Sequence, residues 1–112
     1  MDTQQSDLVE RLRAALTHEP STTEGEMQGG VSFLVRDEVV AVVRPRGDLL
    51  VSVDPSRFAE LATRAGAAPA ESDGRAMGPS WISVAEDDLG REAQLHFWVE
   101  VALEHNAHTT GS

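Results

Sequence analysis

Leu8, Leu12 and Leu16 recur at every fourth position, with Val9 and Ala15 beside them, and this stripe predicts an amphipathic helix over residues 6–18. Ser6 or Asp7 is placed to cap its first turn, Pro20 stops it, and Ser21 to Glu26 reads as a polar connection. After Gly29-Gly30 the period changes. Val31, Phe33 and Val35 alternate with Ser32, Leu34 and Arg36, the mark of a strand with one buried face. Asp37-Glu38 sits where a hairpin turn is needed. Val39 to Val43 is apolar on both sides, as a central strand is, and Pro45 ends it because proline offers no N–H to a ladder. Arg46-Gly47-Asp48 turns the chain into a third strand, Leu49 to Val53. Connections this short make the three strands an antiparallel meander.

Asp54-Pro55 predicts a helix start, with the Asp side chain as cap and the Pro at the first helical position. Phe58, Leu61, Ala62 and Ala65 line one face of that helix, and Gly66 ends it. Ala67 to Pro79 reads as a loop with one short extended piece, and Trp81 to Val84 as a short strand. Glu86, Asp87 and Asp88 favour the positive end of a helix that runs to about His105. Leu95, Trp98, Val99, Ala102 and Leu103 face the core, with Phe97 and Val101 widening the stripe. Ala107 to Ser112 reads as a frayed tail. The predicted fold class is α+β: a two-layer sandwich, a small mostly antiparallel sheet with helices on one face, in the order α-β-β-β-α-β(β)-α. One domain is expected over residues 1–112, with no internal repeat.

Composition narrows the function classes. Cysteine is absent, which excludes disulfides, thiolate chemistry and cysteine-ligated zinc. The first residues carry neither a basic segment nor an apolar one, so no signal peptide is read, and no apolar run is long enough to span a bilayer. A cytoplasmic location with no membrane partner is expected. Net charge is −10, and every basic residue is Arg. Arg36, Arg44 and Arg46 lie near one another in sequence, but Asp37, Glu38 and Asp48 are interleaved with them. That pattern fits a solvated hairpin face, and autonomous nucleic-acid binding is not expected.

The order of short motifs resembles the N-terminal domain of TfoX-type competence regulators, small bacterial domains. The resemblance spans about Leu8 to Leu103. It rests on Met27-Gln28-Gly29-Gly30, Arg46-Gly47-Asp48, Val53-Asp54-Pro55 with Phe58, Gly74-Arg75-Ala76-Met77, Trp81 and Trp98-Val99. Gln28 stands where the family has an aromatic, and Ala76 where it has Pro. The acidic Glu71-Ser72-Asp73 replaces the family's usual Phe-Thr lead-in. The resemblance implies a regulatory or protein-interaction module rather than an enzyme. Competence regulators of this type usually carry a second, helical domain, which these 112 residues do not include.

The candidate interaction surface is Gly29, Gly30, Gly74, Arg75, Met77 and Trp81. Arg and Trp are frequent at interface hot spots, and Arg75 is isolated in sequence from other cations. Gly29-Gly30 lacks the Lys of a P-loop and the third Gly of a dinucleotide fingerprint, so it reads as a turn. His96, Glu100 and Glu104 share a helix spacing that a metal can use, with His105 and His108 following, but a solvated face is the simpler reading. No Gly-x-Ser-x-Gly elbow is present. No catalytic residue, cofactor or metal is therefore expected. The expected partner is an unknown protein or a second copy of the chain, joined at an open sheet edge. The alternative is a small-ligand sensor or minor enzyme, with a pocket between sheet and last helix lined by Trp81 and Trp98 and with Arg75 meeting an anion.

Overall fold

A computed structural model describes residues 3–109, apart from His18, Pro20, Gln28, Gly29, Arg46, Ala65 and Asp73. The expectations placed on Pro20, Gly29, Arg46, Ala65 and the tail from residue 110 lie outside the described residues. The elements are α1 (Thr3–Ala15), β1 (Thr22–Met27), β2 (Gly30–Val35), β3 (Glu38–Val43) and β4 (Leu49–Ser52). A 3-10 turn (Pro55–Arg57), α2 (Phe58–Leu61), β5 (Ala67–Pro69), β6 (Glu71–Ser72) and β7 (Arg75–Ala76) follow. β8 (Trp81–Val84), α3 (Glu86–Leu89) and α4 (Glu92–Thr109) complete the chain. The fold is α+β. Six strands form an antiparallel sheet in the order β1-β2-β3-β4-β8-β5, and β6-β7 form a separate hairpin.

Alternation along the strands sorts the side chains onto two faces. Phe33, Val35, Val43, Leu49, Val51, Ile82 and Val84 join Leu12 of α1 and Leu95 and Trp98 of α4 in one buried cluster. The intervening Val42, Leu50 and Trp81 belong to a second, smaller cluster with Ala70, Val39 and Met77. That face is covered by extended chain rather than a helix, so the two expected layers are less clean than the sequence suggested. β3 carries a bulge: Phe33 pairs with Ala41 but Leu34 with Val39. The extra residue, Val40, joins Ala41 in the helix-side cluster, while Val39 and Val42 belong to the outer one.

Several boundaries differ from the sequence reading. α1 starts at Thr3, so Ser6 and Asp7 lie inside it and do not cap it. Residues 22–27, expected as a connection, are an edge strand. An edge strand has one neighbour and needs no apolar face, so its Thr and Glu residues leave no hydrophobic period. The β2–β3 turn falls at Arg36 and Asp37, one residue earlier than expected, with φ of 53° and 67°. Two left-handed residues match the twist of a tight hairpin. Asp54 does cap its turn, accepting from Ser56 N–H at 2.9 Å. The helix expected there, however, shrinks to the 3-10 turn and the four residues of α2. Gly66 follows at φ +80°, where an added Cβ would run into the Asp88 carboxylate. The last helix breaks at Gly90-Arg91, and α4 continues through Ala107 to Thr109, where a frayed tail was expected.

Candidate functional site

The segment after β5 builds the outer face. Register pairs Glu71 with Ala76 and Ser72 with Arg75, and Gly74 turns the hairpin at φ +80°. Met77 N–H donates to Ala70 O at 2.8 Å, which closes the hairpin base over the sheet. Gly78, at φ +93°, then returns the chain to Trp81, whose strand neighbour is Ser52. Met77 and Trp81 are half-buried and pack in the outer cluster, whereas Gly74 and Arg75 are exposed. Four of the six predicted surface residues thus belong to one continuous feature. Gly30 opens β2 on another strand and pairs with Met27, as a turn-forming glycine does, while Gly29 is outside the described residues.

A polar knot holds this feature to the sheet. Arg44 donates from Nε and Nη2 to Asp48 Oδ2, at 2.8 and 2.7 Å. Its Nη1 donates to Glu71 O at 2.6 Å, pinning the first residue of the hairpin. Arg44 Nη2 also reaches Ser83 Oγ at 3.3 Å, and Ser83 Oγ donates to Asp48 Oδ2 at 3.1 Å. The Arg44 and Asp48 side chains retain only 17% and 15% exposure, so Arg44 is not part of the solvated face expected for it. Arg36 is likewise engaged elsewhere, donating to Asn106 Oδ1 at 3.0 Å from the far end of β3. Asn106 itself is buried and donates to Val35 O at 2.9 Å, fastening α4 to the β2–β3 turn. Sequence reading missed the knot. Its trace was the opposite charges of Arg44 and Asp48, four residues apart around Gly47, which sits at φ +93°. Asn106 left no trace, since an Asn inside a helix is unremarkable until its neighbours are known.

Arg75 stands apart. Arg11 pairs with Glu92, Arg13 with Glu10 and Glu24, and Arg57 with Glu60 and Glu104, while Arg64 stacks 3.7 Å over the Phe97 ring. Arg75, like the exposed Arg91 between the last two helices, has no ion-pair partner among the described residues, although the chain holds 19 acids. The structural salt bridge that would have explained it is not formed there.

The pocket expected between sheet and last helix is not built as anticipated. Trp98 is fully buried on the helix side, and Trp81 lies on the opposite face. Between α1, α4 and the sheet the structure leaves a cavity of about 10 Å³, lined by Leu12, Leu16, Val40, Ala41, Leu49, Val51, Trp98, Val99 and Ala102. That is room for about one water molecule. The Trp98 Nε1–H is buried without a hydrogen-bond partner among the described residues. The helical His/Glu spacing also resolves differently: His96 lies 3.4 Å from Glu92, and Glu104 is near Arg57. No group of three His, Asp or Glu is placed to hold a metal among the described residues. No helix among them is long and apolar enough to cross a membrane. The chain matches no family model, no curated protein sequence and no solved structure.

Proposed function

We propose that this protein is a non-enzymatic regulatory module of the TfoX N-terminal type, cytoplasmic, which acts by binding another protein through the β6–β7 hairpin, Met77 and Trp81. The observation that carries the reading is Arg75, an exposed guanidinium left without an ionic partner in a strongly acidic chain. It lies on a hairpin that Arg44 fixes in place, two residues before Met77, which packs with Trp81 in the outer cluster. Arg, Trp and Met are the side chains enriched in protein interfaces. A pre-fixed hairpin loses little further freedom on binding. The ordered motif set supports the family reading, because Gly47-Asp48, Gly74-Arg75, Met77 and Trp81 all contribute to this one region.

The test is affinity capture from the native host, comparing the wild-type chain with Arg75→Glu and Trp81→Ala. Unchanged far-ultraviolet circular dichroism would establish that the variants fold. A partner retained by the wild type and lost from both variants is the expected result. A partner set indifferent to both substitutions would remove the hairpin as the recognition surface.

A further inference from the structure

The two edges of the six-stranded sheet are built differently. β5 has three residues and ends in Pro69, which has no N–H to offer. β1 has six residues and no proline. Arg36 N–H bonds to Ser21 O at 3.4 Å, so the next pair, Thr22 with Val35, is a non-hydrogen-bonded one. Alternation then makes Thr23, Gly25 and Met27 the residues bonded to β2. Thr22, Glu24 and Glu26 turn their backbone groups outward. Thr22 N–H is taken by Glu19 O at 3.1 Å. The outward N–H and C=O groups of Glu24 and Glu26 bond to nothing among the described residues.

We propose that the β1 edge accepts an extended basic segment of another protein, added antiparallel as a seventh strand. This surface is separate from the hairpin and does not depend on it. Its side chains specify the occupant. Glu26 is exposed and makes no ion pair among the described residues, so a Lys or Arg fits opposite it. Glu24 already accepts from Arg13 Nε and Nη2 at 2.7 and 2.9 Å, so a neutral polar residue fits there. Between them, Gly25 carries no side chain on the other face. An added Cβ at Gly25 would lie 3.1 Å from Ser32 Oγ and 3.9 Å from Leu34 Cδ1, so an aromatic side chain of the occupant, laid across the glycine, meets the Ser32 hydroxyl and half-buried Leu34. The occupant therefore reads, in its own direction, basic–aromatic–neutral polar. The net charge of −10 draws a basic segment in. A second copy is disfavoured at this edge: any antiparallel β1–β1 register that uses both Glu24 and Glu26 sets carboxylates opposite each other. Main-chain bonds supply the affinity in this mode and the alternate side chains the choice of partner.

The probe is a nine-residue peptide centred on Lys-Phe-Thr, with a scrambled peptide of the same composition as control. The readout is backbone amide exchange by NMR. At saturation the probe is expected to slow exchange at Glu24 and Glu26 about tenfold or more, leaving Thr23 and Gly25 as they were. Glu26→Lys should weaken binding about three- to tenfold. Glu26→Pro, which removes an outward donor only, should abolish it while the Thr23 and Gly25 amides stay protected. Arg75→Glu should bind the probe like the wild type, so failure here leaves the hairpin reading standing. Equal binding of the scrambled peptide would reduce the effect to bulk charge and overturn the proposal. So would unaltered exchange at Glu24 and Glu26. Protection there that grows with protein concentration alone would mean that the occupant is a second copy.

Discussion

The two faces of the sheet are covered by different means. On the helix side, Phe33, Trp98 and Leu12 are wholly buried, and α4 and α1 supply large apolar side chains. On the outer side, Val42, Leu50 and Ala70 are buried, but Met77 and Trp81 only partly, and the cover is a short hairpin tied by one guanidinium. Apolar area holds the first face, whereas hydrogen-bond geometry holds the second. A face kept by a few directional bonds can carry an unpaired Arg at its rim and still present a fixed shape.

The two indoles give the sharpest contrast. Trp98→Ala is expected to cost about 3–5 kcal/mol in urea unfolding, since it empties a wholly buried site. Trp81→Ala should cost less, about 1–2 kcal/mol, because part of that side chain is already in water. Equal losses would break the distinction between the faces. Next in size is Arg44→Ala, at about 2 kcal/mol, because it leaves the Asp48 carboxylate and Glu71 O short of donors in a partly buried place. Faster amide exchange should accompany it in residues 71–77 but not in α4. On the helix side the comparable polar tie is Asn106. Asn106→Leu should cost about 1–2 kcal/mol and loosen the β2–β3 turn, leaving the hairpin unchanged. Smallest is the pH effect at Glu24. Hydrogen bonds from Arg13 hold its carboxyl below the ordinary value. Its contribution is therefore complete above the unfolded carboxyl value of about 4.3 and fades as pH falls through the lower folded one. Both groups are in solvent, so the slope should be shallow. Glu24→Gln should remove it from an acid titration of stability.

Hydrophobic period made the core legible. The Leu8/Leu12/Leu16 stripe, the Phe33/Val35 alternation, the β3–β4 meander and the Trp98 face of α4 all follow from burial repeating at 3.6 or 2 residues, and the Asp54 cap from local chemistry. β1 was illegible because an edge strand in water has no apolar period. The β6–β7 hairpin was illegible because two-residue strands are too short to show one. Of the candidate surface, Gly74, Arg75, Met77 and Trp81 were found through their motif order, but nothing in it revealed that Arg44 anchors them.

By itself, then, the sequence determined the fold class, the core and the acidic, cysteine-free chemistry, since each depends on residue type at short spacing. Only the tertiary structure decided that Trp81 and Trp98 lie on opposite faces and that Arg75 is unpaired while Arg44 is not. Only there, too, did Glu24 and Glu26 turn their backbones outward. Those outcomes depend on which strands become neighbours, and a long-range pairing is settled by the packing of the whole chain rather than by any segment of it.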